Sequence, residues 1–313
     1  MVSPPLHPNK VIRYGEKHHW WPIGLSRGWA RGDGRINTIS QHGVPKAYFP
    51  KEIAKIVDGH NILVGGPWNE TFEHQFSEPD NNIPSVVRWL EGLHAEPYQA
   101  TKRVHSVDMT DNDRLKLSQC LASLIVRNPT MRNSIILSVQ GFHQRGGIVD
   151  YQVPGHLISA NMRDLYSTFV RSIDRSGRFA ILVAGEGEFI FGDGFLHNFP
   201  ITWMPEPMNP VCLVPLSPKV SILFQRPSSM WAEPRAVALT LSRDEVAFCN
   251  DTVQVYSKDW LYFRTEMPEI THFRDAKHMQ WGMPSSWGPR PHTTPLFERL
   301  KDEVLAHHPY GDD

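Results

Sequence analysis

The side chains that could carry chemistry fall at four places along this chain. The first is the run His18-His19-Trp20-Trp21-Pro22. Imidazole exchanges a proton near neutral pH and is also a common metal ligand. Adjacent residues of an extended segment point to opposite faces. Only one of the two histidines can therefore serve a given cleft, and we expect His19 rather than His18 to do so. The competing reading makes the run the start of a core strand, with buried aromatics and one histidine bonded to a backbone carbonyl. The second place is Glu73, within Trp68-Asn69-Glu70-Thr71-Phe72-Glu73. On a short helix it would share a face with Glu70 and Asn69. Paired carboxylates bind a metal ion or act as acid and base, whereas acidic residues in a first helical turn also simply answer the helix dipole. The third is Arg127-Asn128-Pro129-Thr130-Met131-Arg132. Arg127 and Arg132 suit the C-terminal end of a helix electrostatically, or they bind phosphate or carboxylate through forked hydrogen bonds. The fourth is the glycine-rich stretch ending in Gly192-Asp193-Gly194. It matches neither a Walker loop nor a dinucleotide fingerprint. It reads as a hairpin that delivers Asp193 at a strand end, or as a turn built on an aspartate between glycines.

Several function classes are excluded by what is missing. Ser217, in Pro215-Leu216-Ser217-Pro218, lacks the G-x-S-x-G elbow of a hydrolase nucleophile. The three cysteines, Cys120, Cys212 and Cys249, form no C-x-x-C pair, which removes zinc ribbons and dithiol redox motifs and fits a reducing compartment. Lys plus Arg number 32 against 33 Asp plus Glu, a net charge of −1, so no general field draws the chain to nucleic acid or anionic membrane. Met1–Tyr14 has no apolar core of a signal peptide, and no run approaches the roughly 20 apolar residues of a spanning helix. These features predict a cytoplasmic protein with no membrane partner. Ten Trp and 16 His are both high for 313 residues and favour a functional cleft without locating it.

The elements that must position these groups follow from pattern. Residues 1–16 read as a proline-rich arm and 17–313 as a single α+β domain, with a change of character near Arg175. Gly32-Asp33-Gly34 predicts a hairpin between Ser26–Arg31 and Arg35–Ile39. Short helices are expected over Lys51–Val57 and Glu70–Phe76, the second capped by Asn69. Ile83–Leu93 has helical spacing of apolar residues. Thr110 and Asp113 form a capping pair ahead of a helix that Pro129 stops. Helix resumes beyond Asn133 as far as Gly146-Gly147, and again over Leu157–Ile173. Strands are then expected at Phe179–Ala184, Glu188–Phe191, Val211–Val214 and Val220–Phe224. A short helix over Arg243–Asn250, strands at Val253–Tyr256 and Leu261–Arg264, and a closing helix at Pro295–His307 complete the chain. A helical middle packed against a mainly antiparallel sheet from the C-terminal half, plus an N-terminal hairpin, is α+β rather than alternating α/β.

In this order, the His18-His19-x-x-Pro22 opening, Glu73, the Arg127-x-Pro129-x-x-Arg132 turn, the Phe189-Ile190-x-Gly192-Asp193 strand and the Pro215-Leu216-Ser217-Pro218 turn resemble one family. It is the large, mostly bacterial family catalogued as domain of unknown function 4238, and the resemblance runs from about His18 to Phe273. Where that family's strand reads Thr-Ser-Asp-Asn-Pro, this chain has Phe191-Gly192-Asp193-Gly194-Phe195, so only the aspartate carries over. The resemblance implies a recurring polar set: an opening histidine, Glu73, Arg127, Arg132, Asp193, Ser217 and Asn250. A set so spread along a chain suits one assembled site. The expected activity is hydrolysis of a phosphoester, nuclease-like or nucleotide-directed. His18 or His19, Glu73 and Asp193 would be catalytic, and Arg127, Arg132, Ser217 and Asn250 would bind substrate. A divalent metal is an optional cofactor, and an anionic small molecule or nucleic acid the expected partner. The alternative is a non-catalytic module in which tryptophan and arginine anchor a protein or small ligand.

Overall fold

The structure is a computed structural model that describes residues 15–41, 43–63, 69–93, 103–148, 152–176, 178–197, 199, 211–225, 235–271 and 273. Most of the expected arm, Trp68 and the closing helix at Pro295–His307 lie outside the described residues. Strand β1 (Lys17–His19) leads into a helical turn, α1 (Ile23–Ser26), and then β2 (Ile36–Ser40) and β3 (Lys46–Tyr48) form a hairpin. β4 (Lys55–Val57) returns to pair with β1, and β5 (Asn61–Ile62) pairs with β6 (Glu70–Thr71). The helical middle comprises α2 (Ser77–Gly92), α3 (Asp111–Arg127), α4 (Pro129–Arg145) and α5 (Gly155–Ser176), with β7 (Val104–Ser106) before α3. The last part holds β8 (Arg178–Ala184), β9 (Phe191–Gly192), β10 (Leu196–His197), β11 (Val211–Pro215), β12 (Val220–Gln225), β13 (Ala236–Leu241), α6 (Arg243–Tyr256) and β14 (Trp260–Phe263). The fold is α+β.

The main sheet has the order β10-β11-β12-β8-β13-β7 and is antiparallel except where β13 runs parallel to β8. Its strands are apolar on both faces because both are covered. Phe179, Ile181, Ile222 and Phe224 face α3 and α5, meeting Leu117, Leu121, Phe169 and Ile173. The alternate residues Leu182, Leu223 and Leu239 face α6 through Val246 and Cys249. A smaller sheet, β3-β2-β14-β9, carries the aromatic cluster that anchors the opening run. Trp21 stacks on Phe191 with centroids 4.2 Å apart, and the Trp29 Nε1–H donates to the Phe189 carbonyl at 3.1 Å. Cys120, Cys212 and Cys249 are free and buried. Among the described residues no helix is long and apolar enough to cross a membrane.

The Thr110 cap acts as expected, its Oγ1 accepting from the Asp113 N–H at 3.2 Å. Two caps went unread: Asn128 caps α4, which starts at Pro129 rather than beyond Asn133, and Ser242 and Glu245 form a capping box on α6. Five local expectations are corrected. Residues 188–190 form no strand, and β9 pairs with β14 rather than making a hairpin with β8, whose neighbours are β12 and β13. The approach to the Gly32-Asp33-Gly34 turn is helical rather than a strand, so the hairpin is β2–β3, one strand further along. Burial of Trp29 against Phe191 holds that approach as helical turns. Glu70–Phe76 is strand β6 followed by a 3-10 turn, Glu73–Phe76. Lys51–Val57 is a 3-10 turn, Pro50–Glu52, followed by β4, broken by Ala54 at φ +57°. Finally, Val253–Tyr256 continues α6, because Val246, Cys249, Val253 and Tyr256 form one buried helical stripe.

Gly194 shows how tightly the segment after β9 is packed. A Cβ there would lie 2.0 Å from the Tyr256 carbonyl oxygen and 2.5 Å from Thr130 Oγ1. A backbone carbonyl cannot rotate away as a flexible side chain can. Gly194→Ala is therefore expected to destabilise the protein by about 3 kcal/mol, at the upper end of overpacking costs, in a denaturant titration. Gly32→Ala, which meets nothing within 4 Å, should leave the midpoint almost unchanged.

Candidate functional site

Two tight turns bring together residues that are far apart in sequence. β1 pairs with β4 so that His18 lies opposite Ile56 and His19 opposite Lys55. The chain then turns through Asp58, at φ +49°, to His60. The Asp58 N–H donates to the Glu16 carbonyl at 2.8 Å, and its carboxylate accepts from the Gly15 N–H at 3.1 Å. His60 is fixed from the other side, its carbonyl accepting from the Phe72 N–H at 3.0 Å and from Thr71 Oγ1 at 3.2 Å. Its ring lies against Phe72 and Phe76, and its centroid is 4.9 Å from that of His18.

The result is a cluster of His18, His60 and Glu73 in which one nitrogen or oxygen atom from each lies within 4.8 Å of the others. His18 Nε2 is 3.9 Å from Glu73 Oε2 and 3.8 Å from Glu16 Oε2. Both histidines are buried, and His18 Nε2 and His60 Nδ1 have no hydrogen-bond partner among the described residues. A buried polar atom left unpaired costs about 1–3 kcal/mol, a cost that a ligand bound between the two rings would remove. Burial, together with the positive charge of Arg127, holds the His60 pKa well below its usual value. His60 is therefore neutral, with a lone pair to offer.

The two arginines have different fates. Arg127 donates to both carboxylate oxygens of Asp80, at 2.6 and 3.1 Å, and to the Ser123 carbonyl, and it covers the Phe76 ring. Its fork ties α2 to α3. Arg132 is half-buried and is paired with no carboxylate among the described residues. Its guanidinium meets Met162 Sδ at 3.9 Å, and burial lowers its pKa. Its charge also acts on His60, so a cation paired with no carboxylate among the described residues lies within electrostatic reach of the histidine cluster.

The remaining expected residues sit elsewhere. Asp193 follows β9, and its carboxylate accepts the Lys258 N–H at 2.7 Å and the Asp259 N–H at 2.9 Å. It thereby pins the turn before β14 and is not in the His18 cluster. Burial pushes its pKa up to about 7, against the opposing pull of those backbone donors. Ser217 Oγ accepts from the Lys219 and Val220 N–H groups in the β11–β12 turn. Asn250 accepts from the Ile190 N–H and donates to the Glu188 carbonyl, tying that loop to α6. Glu70 pairs with Arg163. His19 was expected to face the cluster, but the cluster takes His18. Burial and then Lys55 lower the His19 pKa. A cleft of about 540 Å³ runs beside β4, with Trp20, Lys55, Trp260, Tyr262 and Asp193 in its walls. Sequence reasoning missed two residues: Glu16, assigned to the arm, and His60, which reads as an exposed surface histidine but is buried. The sign of His60 was the turn-forming Asp58-Gly59 pair ahead of a polar residue in apolar surroundings.

Comparison with known protein families, curated proteins and solved structures finds no match.

The raised pKa of Asp193 has a measurable consequence. Its folded-state value of about 7 lies above the ordinary 3.8, so the folded protein keeps a proton that the unfolded chain loses near pH 4. Its contribution to stability is full below about pH 4 and is lost as pH rises through about 7. Asp193→Asn does not titrate, and it turns an NH₂ toward one of the two backbone N–H groups. The variant should be less stable by roughly 1–3 kcal/mol at pH 4 to 5. Its deficit should shrink toward pH 7 in denaturant titrations across that range, and a deficit that grows with pH would contradict this account.

Proposed function

We propose that this protein hydrolyses phosphoesters, in a nuclease-like or nucleotide-directed reaction, at the His18–His60–Glu73 cluster. The observation that carries this reading is the conjunction of two buried imidazole nitrogens without partners among the described residues, a carboxylate, and the Arg132 guanidinium, whose charge acts on His60. Imidazole and carboxylate together activate water. An arginine fork binds and neutralises phosphoryl oxygens. In the reaction, a water oxygen forms a bond to phosphorus and the ester P–O bond breaks. The water's proton passes to the carboxylate side of the cluster, where Glu73 and Glu16 flank His18 Nε2 at 3.9 and 3.8 Å. The leaving oxygen takes a proton from solvent. Arg132 binds the anionic group, whereas Arg127 supports the site by holding α2 against α3.

A net charge of −1 favours a small nucleotide or a short single strand over a long duplex, whose binding draws on many basic contacts. Free, buried cysteines suit action in the cytoplasm. Membership of the family catalogued as domain of unknown function 4238 belongs to the same proposal, supported by the ordered motifs from His18 to Pro218.

The test is turnover of bis(p-nitrophenyl) phosphate and of a dinucleotide by the purified chain. Arg132→Gln should lower kcat/KM by roughly 10–100-fold, the equivalent of losing a charged hydrogen bond worth about 1.5–3 kcal/mol, with the unfolding midpoint nearly unchanged. Arg127→Gln should instead lower the midpoint. Binding of either compound without turnover would overturn the reading in favour of a non-catalytic binding module, and an Arg132→Gln protein as active as wild type would overturn the assignment of anion binding to Arg132.

A further inference from the structure

We infer that His18, His60 and Glu73 form a binding site for one divalent first-row transition-metal ion. The inference rests on the hydrolytic reading for its purpose, though not for its test. Three observations carry it. The cluster supplies two imidazole nitrogens and one carboxylate oxygen, all within 4.8 Å of one another. The histidines are nearly inaccessible, at 2 and 3% exposure, and His18 Nε2 and His60 Nδ1 have no hydrogen-bond partner among the described residues. Both rings are also held by the backbone and by aromatic packing rather than by solvent. The His60 N–H approaches His18 Nδ1 at 3.4 Å, and Phe72 and Phe76 flank the His60 ring.

The donor set selects the class of ion. Two nitrogens and one oxygen suit zinc or ferrous iron, whereas calcium and magnesium take mainly oxygen. Three protein ligands leave a coordination position open, the arrangement of catalytic rather than structural zinc. Ligand atoms around a tetrahedral ion with bonds near 2.1 Å lie about 3.4 Å apart. The 3.9 Å between His18 Nε2 and Glu73 Oε2 closes to that value by a small shift of Glu73, whose side chain is the most exposed of the three. Coordination through His18 Nε2 places the ring proton on Nδ1 and displaces the 3.4 Å contact with the His60 N–H. A contact that long sits at the weak end of the roughly 0.5–1.5 kcal/mol of a net hydrogen bond. Glu16 remains outside the ligand set, 3.8 Å from His18 Nε2, as the group to take a proton from water in the open position.

The experiment is metal binding by the full chain after stripping with a chelator. Zn²⁺ would be measured by isothermal titration with elemental analysis, and Co²⁺ by its visible absorption. One ion per chain is expected. Glu73→Gln preserves size at a partly exposed position, and it should weaken binding by more than the roughly 10–100-fold lost when a supporting residue is removed. His18→Ala and His60→Ala should abolish the Co²⁺ band, while His143→Ala on α4 should leave it intact. A wild-type chain that binds no ion, or binding unchanged by Glu73→Gln, would overturn the site. Turnover of phosphoester by a chain that binds no ion would overturn the metal site while sparing the hydrolytic proposal. One ion bound without turnover would do the reverse.

Discussion

The register between Lys17–His19 and Lys55–Val57 is the constraint on which the histidine cluster depends. A slip of one residue in a strand pair turns every side chain to the other face, which would carry His18 away from His60 and Glu73. Three residues a side is little to hold a register, and the chain strengthens it at both ends. The Asp58 N–H reaches the Glu16 carbonyl beyond one end, and the Trp20 N–H reaches the Ala54 carbonyl beyond the other. Ala54 and Asp58, the non-glycine residues at positive φ among those described, stand on either side of β4. Left-handed backbone costs a non-glycine residue about 1–2 kcal/mol, less for aspartate. The strand is thus bounded by two bends that stop it from sliding, and such local strain is characteristic of sites that must hold one geometry.

Behind that strand, polar side chains divide into those that build the frame and those left to act. Asp193 bridges 65 residues to Lys258, Asn250 bridges 60 to Ile190, and Arg127 bridges 47 to Asp80. Each is engaged by at least two partners. Such residues stitch distant segments together, and their removal leaves backbone groups or charges buried without partners. His18 and His60 are different: they are deeply buried, yet each keeps a ring nitrogen without a hydrogen-bond partner among the described residues. Arg103 and Glu245 show that the fold can satisfy a buried charge when it needs to, with one guanidinium nitrogen 2.7 and 2.9 Å from the two carboxylate oxygens.

Much of the fold was legible in the sequence. The cap at Thr110, the stop at Pro129, and the apolar runs at 179–184, 211–214 and 220–224 are local signals, and local physics decides them. Among the misread segments, 26–31, 51–57, 70–76, 188–190 and 253–256, tertiary packing overrides propensity. Val253 and Tyr256, for example, look like strand residues until the buried stripe from Val246 is seen. Within the site, His18, Glu73 and Arg132 were visible by type. His60 was not, because its role comes from a turn that folds it under His18, 42 residues away. Nor could sequence distinguish Arg127 from Arg132, since only the position of Asp80 separates them.

The three cysteines occupy different layers: Cys120 in α3, Cys212 in β11 and Cys249 in α6. Burial raises the pKa of all three thiols, that of Cys120 to about 12, so in the folded state none offers the reactive thiolate or the access that alkylation requires. Each becomes reactive only when its own layer opens. The chain therefore carries a native three-channel reporter of local unfolding. The order in which its thiols react with an alkylating agent would show whether the helical layer, the sheet or α6 is the first to loosen.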